Sequence, residues 1–283
     1  MTQLKLDHAY DGLEDHDRGL VFDLLTLDRR RVLKLLGFGG VSATLFTIAG
    51  CGPAGASGTA SAGTASTTAG ADASCAIIPE ETAGPYPGDG SNGPNVLAES
   101  GVVRSDIRSS FGSSTTVAEG IPLSIQVTIQ DGADYVPLAG AAVYLWHCNR
   151  AGEYSLYTQA VANENFLRGV QEADANGVVT FQSIFPACYS GRWPHIHFEV
   201  YPSLDMATNE ANKIATSQIA LPQDACDAVY ATDGYEQSIS NMTQVSLTRD
   251  NVFGDDGGAQ QLGTMSGSVS DGYSVALTVP VNA

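Results

Sequence analysis

The sequence feature that most constrains the fold is a strict alternation of apolar and polar residues over 123–130. Apolar Leu, Ile and Val alternate there with Ser, Gln and Thr, one residue at a time. Successive side chains of a strand point to opposite faces of a sheet, whereas helical side chains return to one face after about three to four residues. The alternation therefore predicts a strand with one buried face and one exposed face.

Further short stretches rich in β-branched and aromatic residues follow, separated by Gly, Asn and Asp turn signals. We predict strands at 141–147, 178–184, 194–201, 217–221, 244–248 and 273–281. A short helix is predicted only at 224–231, and 254–267, rich in Gly, Asp and Gln, is predicted to be an exposed loop. Many short strands predict an all-β fold, either a β-sandwich or a barrel. We expect a β-sandwich of mostly antiparallel strands with long loops and little helix.

The charge balance excludes one broad class of partner. Lys and Arg number 13, and Asp and Glu number 31, which gives a formal net charge of −18. Such a field repels phosphate backbones, so we expect no nucleic-acid partner. Hydrophobic residues make up 43% of the chain, which is enough apolar material for a packed core.

The N-terminal part has the features of an export signal. Three arginines at 29–31 precede an uncharged stretch, 35–49, that is shorter than the ~20 residues a membrane-spanning helix needs. The pattern resembles a twin-arginine signal, and 48–51 resembles the lipobox of bacterial lipoproteins, in which the cysteine, here Cys51, becomes acylated. A cleaved secretory signal with an incidental cysteine is the alternative.

The chain is therefore predicted to have three parts. Residues 1–50 form a twin-arginine-type lipoprotein signal peptide, and 75–283 form the folded domain. Between them, 51–74 consists almost entirely of Gly, Ala, Ser and Thr, which bury too little apolar surface to offset the entropy of ordering. We expect an exported protein on a flexible tether, lipid-anchored on the outer face of the cytoplasmic membrane or the cell surface. Its only membrane contact would be that anchor.

Two histidines and a nearby tyrosine are candidate metal ligands. His195 and His197 lie two residues apart on the predicted strand 194–201, so both imidazoles project from one face, about 6.6 Å apart at their bases. An isolated His-x-His is also typical of hydrogen-bonded surface histidines. Tyr189 and Arg192 lie just upstream, and Fe³⁺ has the charge to hold a phenolate at neutral pH. This combination favours iron.

Four motifs, in order along the chain, carry a family resemblance. They are PEETAGPY at 79–86, LWHCNRAGEY at 145–154, FLRG at 166–169, and PACY followed by HIHF within 186–198. With them, most of 75–283 resembles the intradiol ring-cleavage dioxygenases, the family of catechol and protocatechuate 3,4-dioxygenases, and in particular its exported branch. The resemblance implies a catalytic domain with a non-haem Fe(III) centre.

The resemblance also implies a set of metal ligands. In that family two tyrosinates and two histidines hold iron(III), and the matching positions are Tyr154, Tyr189, His195 and His197. Tyr157 is the rival for the first position, and the distance of Tyr154 from the tryptophan of the LWHC motif fits the family pattern better.

Further residues would act on the substrate. Tyr154 and Arg192 match catalytic positions of the family, and Tyr86, Arg192 and Gln218 match positions that contact the substrate or lie close to it. The implied reaction uses O₂ to open a catechol-type ring between its two hydroxyl-bearing carbons, giving a muconate-type diacid. The alternative function is a surface-displayed β-sandwich binding module that keeps the metal site without ring cleavage. Oligomeric state and ring substituents stay open.

The remaining cysteines are predicted to form two disulfides. An even number of cysteines in an exported domain is typical of a disulfide set, here Cys75, Cys148, Cys188 and Cys226. Three pairings are compatible with the sequence. The resemblance to exported relatives favours one bridge between the first two and another between the last two.

Overall fold

The computed structural model of the protein describes residues 76–283, and its secondary structure is mainly β. Strands β1 to β8 cover Pro122–Asp131, Ala142–Trp146, Arg168–Glu172, Val178–Ile184, His195–Tyr201, Ala215–Ala220, Thr264–Ser268 and Gly272–Val281. Helices α1 and α2 cover Gln223–Tyr230 and Glu236–Met242.

The strands form two sheets of four strands each within the described residues. The strand order is β4-β1-β8-β7 in the first sheet and β3-β2-β5-β6 in the second. β1 and β8 are parallel, and the other neighbouring strands are antiparallel. One apolar cluster joins the inner faces of both sheets, with Ile125 of β1 and Phe198 of β5 among its fully buried members. The predicted β-sandwich is confirmed.

The second sheet is covered on its outer face as well, which creates a buried site there. Every residue of β5 is buried. Ile196 and Phe198 belong to the cluster between the sheets, so the alternating His195 and His197 project from the opposite face. A second apolar cluster, which includes Trp146 and residues from the loops around it, covers that face. The histidines therefore lie between the sheet and a layer of loops.

Several elements differ from the sequence prediction. β3 and α2 were not predicted, and β7 replaces part of the predicted loop 254–267. The predicted strand at 244–248 is wrong, because the chain there leaves α2 and enters a 3-10 helix, Leu247–Arg249. Its apolar residues pack against the ends of the core without pairing with a strand.

The predicted bridge between Cys188 and Cys226 is also wrong. Both are buried with free thiols, as is Cys148. The Cys188 sulfur instead contacts the Arg192 carbonyl at 3.5 Å, and burial raises the pKa of the Cys188 thiol to about 12. These cysteines therefore act as small apolar core residues. Cys75, the predicted partner of Cys148, lies outside the described residues.

The predicted export signal, the tether and Cys51 also lie outside the described residues. Among residues 76–283, neither helix has the length and apolar character needed to cross a membrane.

Candidate metal centre

Three donor atoms converge on the outer face of β5. The Nε2 atoms of His195 and His197 lie 3.1 Å apart. The Tyr189 hydroxyl lies 3.2 Å from the Nε2 atom of His195. Tyr189 comes from the loop after β4, and Gly152 packs against it, since a β-carbon at this glycine would lie 3.1 Å from the Tyr189 β-carbon. The strand and this loop therefore bring three potential metal ligands to one point.

The ring of His195 is oriented through its second nitrogen. Its Nδ1 atom lies 2.5 Å from the Trp193 carbonyl, which accepts the Nδ1 proton. This bond leaves the Nε2 lone pair available, as is usual for a metal-bound histidine. Burial, followed by the nearby Arg192 cation, lowers the pKa of His195 well below its usual value, so the imidazole stays neutral.

The ring of His197 is held by packing. Trp146 stacks on it with ring centres 4.9 Å apart and planes 6° apart. On another side, a β-carbon at Gly84 would lie 3.3 Å from the His197 Cε1 atom, and Gly84 has a φ of +71° that favours glycine. Burial lowers the pKa of His197 as well. The imidazole is thus fixed and neutral.

Tyr154 completes the group. Its ring meets the rings of Tyr189 and His197 edge to face, at centre distances of 5.9 Å and 6.2 Å. Its hydroxyl is buried without a well-formed hydrogen bond to any described residue. Burial and the neighbouring Tyr189 raise the pKa of this hydroxyl well above its usual value. A buried phenol without a partner is the type of group that a bound metal ion would satisfy.

The rival Tyr157 has a different role. Its hydroxyl donates to the Asn92 carbonyl and accepts from the Gly88 amide, both at 2.9 Å. Its ring lies 5.6 Å from the Arg168 guanidinium carbon. Tyr157 therefore ties loops together, and Tyr154 is the tyrosine that the fold brings beside the histidines.

These residues fit an Fe(III) ion. The two neighbouring donor pairs are 3.1 Å and 3.2 Å apart, which is within the span of two ligands that each lie about 2.1 Å from one metal ion. Residues 76–283 contain no group of three His, Cys, Asp or Glu that could hold a metal, so a site here must draw on the tyrosines. Phenolates need a strongly charged, hard ion, which Fe³⁺ supplies.

Arg192 and Gln218 form a polar pair beside the histidines. The Nη2 atom of Arg192 donates to the Gln218 Oε1 atom at 2.7 Å, and Gln218 is directly opposite His197 in the pairing of β5 with β6. The Gln218 amide donates to the Thr82 carbonyl at 2.9 Å. Arg192 is 2% exposed, so a full positive charge is buried next to the candidate ligands.

Tyr86 lies at the edge of the group. It is partly buried, and its ring centre is 5.1 Å from that of Tyr154 and 5.2 Å from that of Tyr157. His147 lies apart from the group, because its ring nitrogens contact the Cys148 carbonyl at 2.8 Å and the Ser183 hydroxyl at 2.7 Å.

Two important residues were not identified from the sequence. Asp250 forms a buried ion pair with Arg192, at 3.0 Å from its Nε atom. Arg168 is buried and donates to the backbone carbonyls of Tyr86, Pro87 and Ser155. Arg168 lies in the FLRG motif, which carries the family resemblance but does not by itself indicate a role for the arginine. Nothing in the sequence distinguishes Asp250 from the other acidic residues.

Comparisons with known proteins show which proteins the chain is similar to. Residues 92–231 match a protein-family model described as "Dioxygenase". The chain is 39% identical to catechol 1,2-dioxygenase 2 of Acinetobacter lwoffii over 59 residues, 21% of each protein. It is 39% identical to catechol 1,2-dioxygenase 1 of the same organism over 69 residues, 24% of this chain and 22% of that one. These alignments span only about a fifth of the curated relatives.

A solved structure is similar over a much longer stretch. The intradiol ring-cleavage dioxygenase from Tetranychus urticae superposes with a TM-score of 0.58 and 26% sequence identity, over 74% of this chain and 95% of that one. The four candidate ligands, Arg192 and Gln218 all lie within the range that matches the family model. Residues 92–231 are therefore similar to the dioxygenase family, and they lie within a β-sandwich that has the fold of the intradiol ring-cleavage dioxygenases.

Proposed function

We propose that the protein is a non-haem Fe(III) dioxygenase that uses O₂ to cleave a catechol-type ring between its two hydroxyl-bearing carbons, giving a muconate-type diacid. The observation that carries the proposal is that the His195 Nε2 atom lies 3.2 Å from the Tyr189 hydroxyl and 3.1 Å from the His197 Nε2 atom, beside the buried Tyr154 hydroxyl. The similarity to catechol 1,2-dioxygenases supports the substrate class. A binding module without chemistry is not favoured.

The metal would be held by Tyr154, Tyr189, His195 and His197. When bound, Fe(III) draws electron density from a catecholate and makes its ring reactive towards O₂. The two imidazoles are neutral because burial lowers the pKa of both, so they can bind the ion through Nε2 without losing a proton. The two phenolates would offset most of its positive charge.

Tyr154 is proposed to accept a proton from the substrate. Burial raises the pKa of its hydroxyl well above the usual value, so its phenolate is stable only beside a positive charge. The Tyr154 oxygen would then be the strongest base beside a substrate hydroxyl and would take its proton. The substrate then binds as an anion, and Tyr154 becomes a neutral phenol.

Arg192 is proposed to stabilise the negative charge that develops on the substrate. Its guanidinium is buried, and a buried fixed cation interacts more strongly with a nearby anion than a solvated one does. Gln218 holds the Nη2 atom, so the cation needs little rearrangement when the reaction begins. Tyr86, whose ring packs against that of Tyr154 at a tilt, would cover one side of the substrate.

A comparison of two tyrosine variants tests the function and the ligand set together. The purified, iron-loaded wild type should absorb visible light through tyrosinate-to-iron charge transfer and consume O₂ when catechol is added. Tyr154→Phe should lose most of the O₂ uptake, by more than about 100-fold, because it removes a ligand and a base. Tyr157→Phe is the matched control and should keep both colour and activity.

Two outcomes would contradict this proposal. An iron-loaded wild type that lacks the charge-transfer colour would overturn the tyrosinate ligands. Loss of activity in Tyr157→Phe but not in Tyr154→Phe would show that the two tyrosines have been assigned the wrong way round.

We also propose that the protein is exported through a twin-arginine signal and anchored through acylated Cys51. The sequence pattern alone supports this proposal. Cys51→Ala should release the mature protein from the membrane fraction, and Arg29→Lys with Arg30→Lys should leave precursor in the cytoplasm, both visible by immunoblotting of cell fractions. Membrane attachment that persists in Cys51→Ala would contradict the lipid anchor.

A further inference from the structure

The buried carboxylate of Asp250 accepts hydrogen bonds from four donors. Two come from its own turn, the amides of Val252 and Phe253, at 2.8 Å and 3.1 Å from Oδ1. The other two come from the segment before β5, the Arg192 Nε atom at 3.0 Å and the Trp193 amide at 2.7 Å from Oδ2. The Arg192 Nε atom also lies 3.4 Å from Oδ1. Oδ1 thus mainly organises the C-terminal loop, and Oδ2 makes the two shorter bonds to the segment that leads to the histidines.

The first consequence concerns the Arg192 guanidinium. Asp250 binds its Nε atom and Gln218 binds its Nη2 atom, so two separate nitrogens are held by partners on different elements. A planar guanidinium held at two of its nitrogens has a fixed plane as well as a fixed position. Without Asp250, the guanidinium would lose its bond at Nε and with it one of the two nitrogens that fix its plane.

The second consequence concerns His195. The backbone of Trp193 links the Asp250 carboxylate to the His195 ring. The Trp193 amide donates to Asp250, and the Trp193 carbonyl accepts from the His195 Nδ1 atom. The Trp193 indole is also anchored, through a 2.9 Å bond to the Leu221 carbonyl. Asp250 therefore holds the residue, Trp193, whose carbonyl orients the ring of the candidate ligand His195.

Phe253 adds a third contact to the same unit. Its ring centre lies 5.9 Å from the Arg192 guanidinium carbon and 6.5 Å from the ring of His195. Its backbone amide is held by Asp250, so the position of this ring depends on the same carboxylate. Through Phe253, the C-terminal loop therefore contacts both the Arg192 guanidinium and the His195 imidazole.

We propose that Asp250 is a positioning residue for the active site: it holds the Arg192 guanidinium in its catalytic orientation and, through Trp193, fixes the ring of His195. The effect of Asp250 on catalysis rests on the proposed function. The placement of Arg192 and Trp193 by Asp250 is independent of that function and can be measured without turnover.

Asp250→Asn is the sharpest single variant. An asparagine can keep Oδ1 as acceptor for the amides of Val252 and Phe253, so the turn can be retained. Its NH₂ group cannot accept from the Arg192 Nε atom or from the Trp193 amide. The variant therefore removes both Oδ2 bonds, keeps at most the long 3.4 Å contact between Arg192 Nε and Oδ1, and spares the role of Oδ1 within the loop.

Asp256→Asn is the matched control. Asp256 accepts from the amides of Gly258 and Ala259 in the same segment, but it is exposed and does not contact Arg192. Asp250→Asn should lower kcat by about 10- to 100-fold, with a smaller change in KM, because second-layer partners of a metal site typically have effects of this size. Asp256→Asn should leave both constants unchanged.

Hydrogen exchange of the iron-free proteins supplies a readout that is independent of activity. In Asp250→Asn, the Trp193 amide should exchange at least about 10-fold faster than in the wild type, whereas the Asp256→Asn variant should match the wild type. Unchanged protection of the Trp193 amide would overturn the proposal, even if the wild type cleaves no catechol. An inactive wild type would overturn the proposed function alone.

A double-mutant cycle tests whether Asp250 acts through Arg192. Arg192→Met should itself lower kcat, and adding Asp250→Asn should then have a much smaller effect than it has in the wild type. Fully additive losses would show that Asp250 acts independently of Arg192 and would overturn the proposal. If the wild type is active, an Asp250→Asn variant with an unchanged kcat would also overturn the proposal.

Discussion

His197→Ala should lose both ring cleavage and bound iron. The His197 Nε2 atom lies 3.1 Å from that of His195, so alanine removes one of the converging donors. It also leaves a void between Trp146 and Gly84, which now enclose the ring. Because substitution of mere second-layer partners costs about 10- to 100-fold in activity, loss of a ligand should exceed this range.

His147→Gln is the control for His197→Ala. His147 is an equally buried histidine, but its ring nitrogens contact Cys148 and Ser183, away from the converging donors. We expect this variant to keep the visible absorption, the iron content and the O₂ uptake, even if its melting temperature falls. Near-UV circular dichroism would verify that each variant is folded. Full activity in a folded His197→Ala would contradict the ligand set.

The sequence predicted the parts of the site that depend on local geometry. β5 is a regular strand, so the two-residue spacing of His195 and His197 places both on one face wherever the strand packs. Tyr189 is only six residues from His195 in sequence, and they remain in contact in the structure. The fold class followed similarly from the alternation in β1, whose apolar residues are buried between the sheets.

Residues whose role depends on distant partners could not be predicted. Asp250 and Arg192 are 58 residues apart, and Arg168 and Pro87 are 81 residues apart. No periodicity or spacing relates such positions, since only the packing of the loops around the second sheet brings them together. Tyr154 was reached through the family resemblance for the same reason.

α2 was missed because its packing is polar. Its buried residues are Ser238 and Asn241, and no apolar stripe marks it in the sequence. The Ser238 hydroxyl accepts from the Cys188 amide at 3.0 Å, and the Asn241 amide donates to the Cys188 carbonyl at 2.9 Å. The helix is therefore held against the residue before Tyr189 by hydrogen bonds, which an analysis of hydrophobic pattern cannot detect.

The predicted bridge between Cys188 and Cys226 failed because the prediction counted cysteines without their environments. Cys226 lies in α1 with its side chain in the core between the sheets, where 0% of it is exposed. Cys148 belongs to the other apolar cluster. A thiol that is fully buried among apolar groups already contributes as a small hydrophobic side chain.

Arg168→Met should strongly destabilise the domain. The Arg168 guanidinium is 1% exposed and donates to three backbone carbonyls, of Tyr86, Pro87 and Ser155, and to the hydroxyls of Tyr144 and Ser155. Methionine fills a similar volume without any donor. Each buried acceptor left without a partner costs about 1–3 kcal/mol, so we expect the free energy of unfolding to fall by about 3 kcal/mol or more.

Activity should fall in the same variant, because the residues that Arg168 holds border the site. The Tyr86 ring packs against the Tyr154 ring, and Ser155 is the next residue after Tyr154, so the loss of the Arg168 bonds should loosen the position of the Tyr154 ring. Urea unfolding measures the stability, and O₂ uptake well below the unfolding midpoint measures the activity of the folded fraction.

Arg108→Met provides the comparison for Arg168→Met. Arg108 is partly exposed, with 44% of its side chain accessible, and pairs with Asp106 at 2.7 Å, an arrangement that typically contributes no more than about 1 kcal/mol. Its replacement should therefore leave both the urea midpoint and the activity close to those of the wild type. Equal losses in the two variants would mean that removing any arginine has this effect, and that the buried donors of Arg168 do not organise the loops around Tyr154.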